Sequence, residues 1–281
     1  SSDVCSSDLN VVHGIYVVSS DATIIRNYIT NCQIGIISKT FDSFLNETKI
    51  KLNSVKNSLE NGIVVTGKNN NTSIFQNVEI CKNKKAGIRV ENFANCRILQ
   101  NRIFNNIHQG ILIVENSRAH VQENTIFHNI KANIAFGGSM SENTTILRNR
   151  IYESASEGIF IMLCGPCIVY SNFIYQNYDG IVVMEGTPEI SFNKIFKNKN
   201  NGIQMLRGSQ PTMRSNKIYE NEGIGLVLRE KSMGVIQQND IKDNELEVAV
   251  EYKTEGTSQL RKNNSLGSNI FLPQKNGCGL I

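Results

Sequence analysis

The sequence predicts an all-β fold, a single-stranded right-handed parallel β-helix of about eleven rungs of roughly 23 residues. Three observations predict it. A Gly-Ile step recurs at Gly14, Gly35, Gly62, Gly87, Gly110, Gly158, Gly180 and Gly202, with Gly225-Leu226 as a variant. An Asn-x-Ile step recurs at Asn27, Asn53, Asn101, Asn124, Asn149, Asn172, Asn193, Asn216 and Asn239, with Asn77 and Asn263 as looser members. These eleven Asn anchors follow one another by 21 to 26 residues. Between the anchors apolar residues alternate, which is the period of a strand and not of a helix.

Each rung holds three short strands. The first begins at Gly-Ile: in Gly180-Ile181-Val182-Val183, Ile181 and Val183 face one way and Val182 the other. Glycine is expected there for the dihedrals of a sharp corner. A turn follows, often with Pro. The second strand is an apolar alternation such as Glu189-Ile190-Ser191-Phe192, which leads into the Asn anchor. The Asn is expected to take the left-handed corner and to stack with its copies as an amide ladder. The third strand carries the Ile two residues beyond the Asn. One rung cannot bury its inward face alone and must stack on others. At about 4.8 Å per rung the pile is roughly 50 Å long. Asn133-Ile134 and Glu247-Val248 keep the first-strand frame without its glycine.

The organisation is one array, residues 10–265, followed by a cap and tail, 266–281. Residues 1–9 stand apart. SSDVCSSDL repeats Ser-Ser-Asp, and its second half is what the end of a common sequencing adapter encodes. It reads as a translated adapter artefact that replaces the native N-terminal region. The chain closes on Cys278-Gly-Leu-Ile281, a pattern of prenylation type without a basic run before it.

Composition bounds the function. A net charge of +4 is far from that of a dedicated nucleic-acid binder, and no run of 18 apolar residues spans a membrane. Seven cysteines without regular pairing suit free thiols in a reducing compartment, hence a cytoplasmic or nuclear location. Cys164-Gly-Pro-Cys167 has the form of a thioredoxin site. It sits where the neighbouring rungs have Glu185-Gly-Thr-Pro188 and Gly208-Ser-Gln-Pro211, so it reads as one rung's turn, with a disulfide left open. No Cys/His set has zinc spacing and no phosphate loop occurs; no cofactor is expected.

Two outward columns stand out. On the first strands, Leu112, Val114, Phe160, Met162, Val182, Met184, Leu206 and Val227 make an apolar strip in the middle rungs, where solvated positions should be polar. The strip is expected to bind a protein partner. On the third strands Phe104, Phe127, Tyr152, Tyr175, Phe196 and Tyr219 are expected to stack, beside the basic Arg102, Arg150, Lys194 and Lys217. That basic face reads as solvated, with no nucleic acid expected.

Pectate lyases, polygalacturonases and alginate epimerases use this architecture with clustered carboxylates. Here Asp numbers only seven and the outward Glu91, Glu115 and Glu185 stand singly, so polysaccharide catalysis is not expected. The rungs Asn193-Lys-Ile-Phe-Lys-Asn198 and Asn216-Lys-Ile-Tyr-Glu-Asn221 resemble the β-helix repeats of F-box-only ubiquitin-ligase subunits. That resemblance implies a non-enzymatic substrate-docking scaffold, joined to ubiquitin-ligase components through the missing N-terminal region. The alternative is a carbohydrate-binding or polysaccharide-processing, pectate-lyase-like β-helix.

Overall fold

Each period of the sequence supplies one strand to each of three parallel sheets. The computed structural model describes residues 12–41, 45–138, 143–251 and 257–271. The adapter-like segment and the Cys278 tail lie outside the described residues. The first sheet has twelve strands, from His13–Val18 to Ile270–Phe271. The second has ten, from Thr23–Ile25 to Val235–Gln237, and the third eleven, from Tyr28–Thr30 to Ser265–Leu266. Successive rungs pair in register, as Ile181 with Ile203 and Ile195 with Ile218. A seven-residue helix, Thr257–Asn263, buries Leu260 at the C-terminal end of the pile.

The inward residues form one continuous core of Ile and Val columns, most of them fully buried. Ser38 breaks the inward column of the first sheet. Its hydroxyl lies 2.8 Å from that of Thr72 and accepts from Asn46 Nδ2 at 3.1 Å, so the dry interior holds no orphan there.

Both corner expectations are corrected. The left-handed residue is the one before the Asn: Gln76, Gln100, Glu123, Arg148 and Ser171 have φ of 54–57°. The Asn instead turns inward and is buried. Its backbone N–H and its Nδ2 both donate to the Oδ1 of the Asn one rung on. For Asn149 these bonds to Asn172 are 2.9 and 3.0 Å, and Nδ2 also donates to Val121 O at 3.0 Å. The ladder runs from Asn27 to Asn264, so its last step is Asn264 and not Asn263. Glycine opens the first strand for want of space. A Cβ on Gly110 would lie 2.6 Å from Asn133 O and 2.8 Å from Asn129 Nδ2.

A second amide ladder, at the corner between third and first sheets, holds those Nδ2 groups. Asn83 donates to Asn106 and Asn106 to Asn129, each at 2.9 Å. The next rung offers Ser154, too short to continue. Asn133, standing where the frame calls for Gly, reaches in instead. It accepts from Asn129 Nδ2 at 2.7 Å and donates to Asn177 Oδ1 at 3.0 Å. The serine vacates the space that the asparagine's extra atoms need. Glu247 plays a similar part at the far end, accepting from Asn244 Nδ2 at 2.9 Å.

Candidate functional site

The predicted apolar strip assembles on the outer face of the first sheet, where Leu112, Phe160, Val182 and Val227 stand in one column and Met162, Met184 and Leu206 in another. Val114 follows its strand and donates to Val90 O. Val182 and Val227 are only 5% and 1% exposed, so the strip offers less surface than the sequence suggests. The aromatic column stacks ring on ring from Phe104 to Tyr219, with centroids 4.9–5.1 Å apart. The Arg102 guanidinium lies 4.5 Å from the Phe104 centroid, which ties the basic column into the stack.

Cys164 and Cys167 point into the core. A hydrogen bond with Cys164 and then burial push the Cys167 thiol far up, the opposite of what a redox nucleophile needs. The backbone of this turn bonds as an ordinary corner, with Thr187 N–H donating to Cys164 O at 3.1 Å.

A polar groove lies on the second sheet, on a column outside the two outward columns that stand out in the sequence. Arg97 and His120 pair in register, as do Leu99 and Gln122. All four alternate with the buried Ile98 and Val121 and therefore face outward. With Asn95, Arg118, Glu123 and Thr145 they line an open groove of about 720 Å³. A second hollow of about 450 Å³ shares Asn95, Arg118 and Asn143. A third of about 370 Å³ shares Asn143 and Thr145 and carries the groove on to Glu189, Thr212 and Arg214. From the strand Ser73–Phe75 to the strand Thr212–Arg214 the groove crosses seven rungs. Six rung steps make it about 29 Å long. The signal available in the sequence was the outward alternation Arg97, Leu99 and Arg118, His120, Gln122 ahead of the Asn anchors.

Its hydrogen bonds define one arrangement. Glu123 accepts from Gln100 Nε2 at 2.9 Å and from Gln122 Nε2 at 2.7 Å, and these amides hold its carboxyl below the usual carboxylate range. A carboxylate only accepts, so the Gln122 nitrogen faces Glu123 and its oxygen faces His120. His120 Nε2, 2.9 Å from that oxygen, must then be the protonated nitrogen. In the neutral ring Nδ1 keeps its lone pair and accepts from the Thr145 hydroxyl at 2.6 Å. Arg97 and Arg118 are exposed, and neither has a carboxylate partner among the described residues. The groove therefore presents two guanidiniums with no carboxylate partner among the described residues, which suit planar anions such as carboxylates, beside the His120 imidazole.

Comparison with solved structures finds the same fold in polysaccharide enzymes. A point mutant of the periplasmic alginate epimerase AlgG superposes with a TM-score of 0.52 at 14% identity, over 92% of this chain and 74% of that one. The A-module of mannuronan C-5 epimerase AlgE6 from Azotobacter vinelandii gives 0.52 at 16% identity, over 92% and 81%. Pectate lyase Pel9A gives 0.46 at 12% identity, over 84% and 72%. No curated protein matches the chain in sequence. Two expectations are corrected by these neighbours. The non-enzymatic scaffold is set aside, because the structures that share the fold are polysaccharide epimerases; the cytoplasmic or nuclear location is set aside, because one of them is a periplasmic enzyme. Aspartate scarcity misled the first expectation, since it weighed only carboxylate-based sites. The ubiquitin-ligase half of the resemblance finds no counterpart in the comparisons, whereas its repeat does. Residues 5–149 and 138–280 match the right-handed β-helix region family, and the chain belongs to that family.

Proposed function

We propose that the chain binds and processes an acidic polysaccharide in the groove of the second sheet. The observation that carries this reading is the groove itself, about 29 Å long by its rung count and bearing two guanidiniums that have no carboxylate partner among the described residues. An open groove of that length suits a polymer better than a small metabolite. Sugar carboxylates would pair with Arg97 and Arg118. The fold neighbours, named as alginate and mannuronan epimerases, suggest the polymer to try first.

The chemistry this arrangement supports is removal of a proton from the carbon beside a sugar carboxylate. Arginine contacts to the carboxylate stabilise the charge that develops there. His120 takes the proton on Nδ1, where a substrate displaces the Thr145 hydroxyl. Loss of the neighbouring sugar oxygen, protonated by water, would give an unsaturated sugar, and delivery of a proton from water to the face opposite His120 would give an epimer.

The test is incubation with alginate, polygalacturonate and a neutral glucan, following unsaturated ends by ultraviolet absorbance and inversion by proton NMR. A polyuronate should be modified and the glucan left intact. His120→Ala should lower the rate on the order of 100-fold or more. Modification of no polyuronate, or an unchanged rate in the variant, contradicts the reading.

A further inference from the structure

The groove changes character beyond Thr145. In register with His120 and Thr145 comes Ile168, and in register with Gln122 and Leu147 comes Tyr170. Both are outward, 39% and 36% exposed. Tyr170 meets Phe192 of the next rung with ring centroids 5.3 Å apart and planes tilted by 55°. Phe173, 42% exposed, stands just past the same corner with the Lys194 ammonium 5.1 Å from its ring centroid.

Phe192 is the odd member. It is an aromatic residue at the left-handed corner position, φ 57°, which other rungs fill with Leu52, Gln76, Gln100, Glu123, Arg148 or Ser171. An aromatic residue is poorly suited to that conformation. Packing does not account for it, since the ring is 56% exposed. An exposed aromatic held in an unfavourable backbone conformation is a pattern met at binding sites.

We propose that Tyr170 and Phe192 form an aromatic subsite that stacks the apolar face of one sugar ring of the polymer lying in the groove. The inference rests on the acidic-polysaccharide reading and extends it. Charged sugars engage Arg97 and Arg118, and a ring three rungs further on engages the aromatic pair. Three rung steps are about 14 Å, so only a longer oligomer reaches both parts. The third hollow runs from Thr145 past Ile168 to Glu189, and Tyr170 stands two residues beyond Ile168 on the same outward face of that strand.

The experiment is calorimetric titration of wild type, Tyr170→Ala and Phe192→Asn with a uronate disaccharide and a uronate octamer. Asparagine tolerates the left-handed corner, so the second variant keeps the backbone. Both rings are exposed, and circular dichroism checks the fold. Octamer affinity should fall roughly five- to tenfold in each variant, while disaccharide affinity stays unchanged. Octamer affinity unchanged in both variants overturns the subsite and leaves the acidic reading standing. If wild type binds neither uronate, the acidic reading falls. The subsite is then decided on a neutral cello-octaose: binding that Tyr170→Ala weakens supports it, and no such binding overturns it.

Discussion

Asn149→Ala should destabilise the protein by about 2–6 kcal/mol, the largest single-residue effect expected in the array. The side chain is fully buried at the middle of the first ladder. Its Oδ1 accepts from Asn124 N–H at 2.9 Å and from Asn124 Nδ2 at 3.0 Å. Alanine leaves the Asn124 N–H buried without a partner, an orphan that costs about 1–3 kcal/mol, while Asn124 Nδ2 keeps Ile98 O at 2.8 Å. The bonds that Asn149 Nδ2 makes to Asn172 Oδ1 and Val121 O are lost as well, at about 1 kcal/mol each. The melting temperature should drop on the order of 10 °C for a chain of this size. Because each rung contacts only its neighbours, loss of hydrogen-exchange protection should centre on the rungs of Asn124 and Asn172. The exposed neighbour Arg150→Ala should change stability by under about 0.5 kcal/mol. A shift of less than about 2 °C for Asn149→Ala would show that the ladder contributes little.

Asn133→Gly should also destabilise, although it restores the residue that the repeat prefers. Removing the side chain takes the acceptor from Asn129 Nδ2 and the donor from Tyr152 O, bonds of 2.7 and 2.9 Å. The expected cost is about 1–3 kcal/mol. Ser154→Asn alone should destabilise as well, because its amide would compete with Asn133 for one buried space. The double variant rebuilds the arrangement of the neighbouring rungs, Gly at the strand start and Asn in the ladder. Its stability should return to within about 1 kcal/mol of wild type, so the two changes couple with opposite sign to their single effects. Thermal melts of the four proteins close the cycle. Additive losses in the double variant would refute the exchange.

That exchange shows what the sequence does and does not make legible. Alternation and the Asn-x-Ile step were enough for the fold, because a two-residue period with a fixed 21–26-residue return admits few other packings. The first ladder was legible because Asn anchors recur there without a gap. The second was not, although Asn83, Asn106, Asn177 and Asn198 carry it, since Ser154 interrupts the repeat and only three-dimensional packing shows Asn133 filling in. The reason for glycine was misplaced for a similar cause. Periodicity marks a constrained position but does not tell a dihedral constraint from a steric one. The groove escaped notice because its members are ordinary polar residues on a solvated face. Arg97 and His120 are 23 residues apart, and only the register of the second sheet makes them neighbours.

The claim that this groove is a polyanion site is tested most directly by affinity electrophoresis in native gels. One gel would contain alginate and the other a neutral glucan, and each would be run with wild type and with Arg97→Ala/Arg118→Ala. Both arginines are exposed, so the fold should survive their loss. Wild type should be retarded by alginate alone, less so as salt is raised, and the double variant should migrate nearly as it does without polymer. Equal retardation of the two proteins, or no retardation of either, would contradict the account.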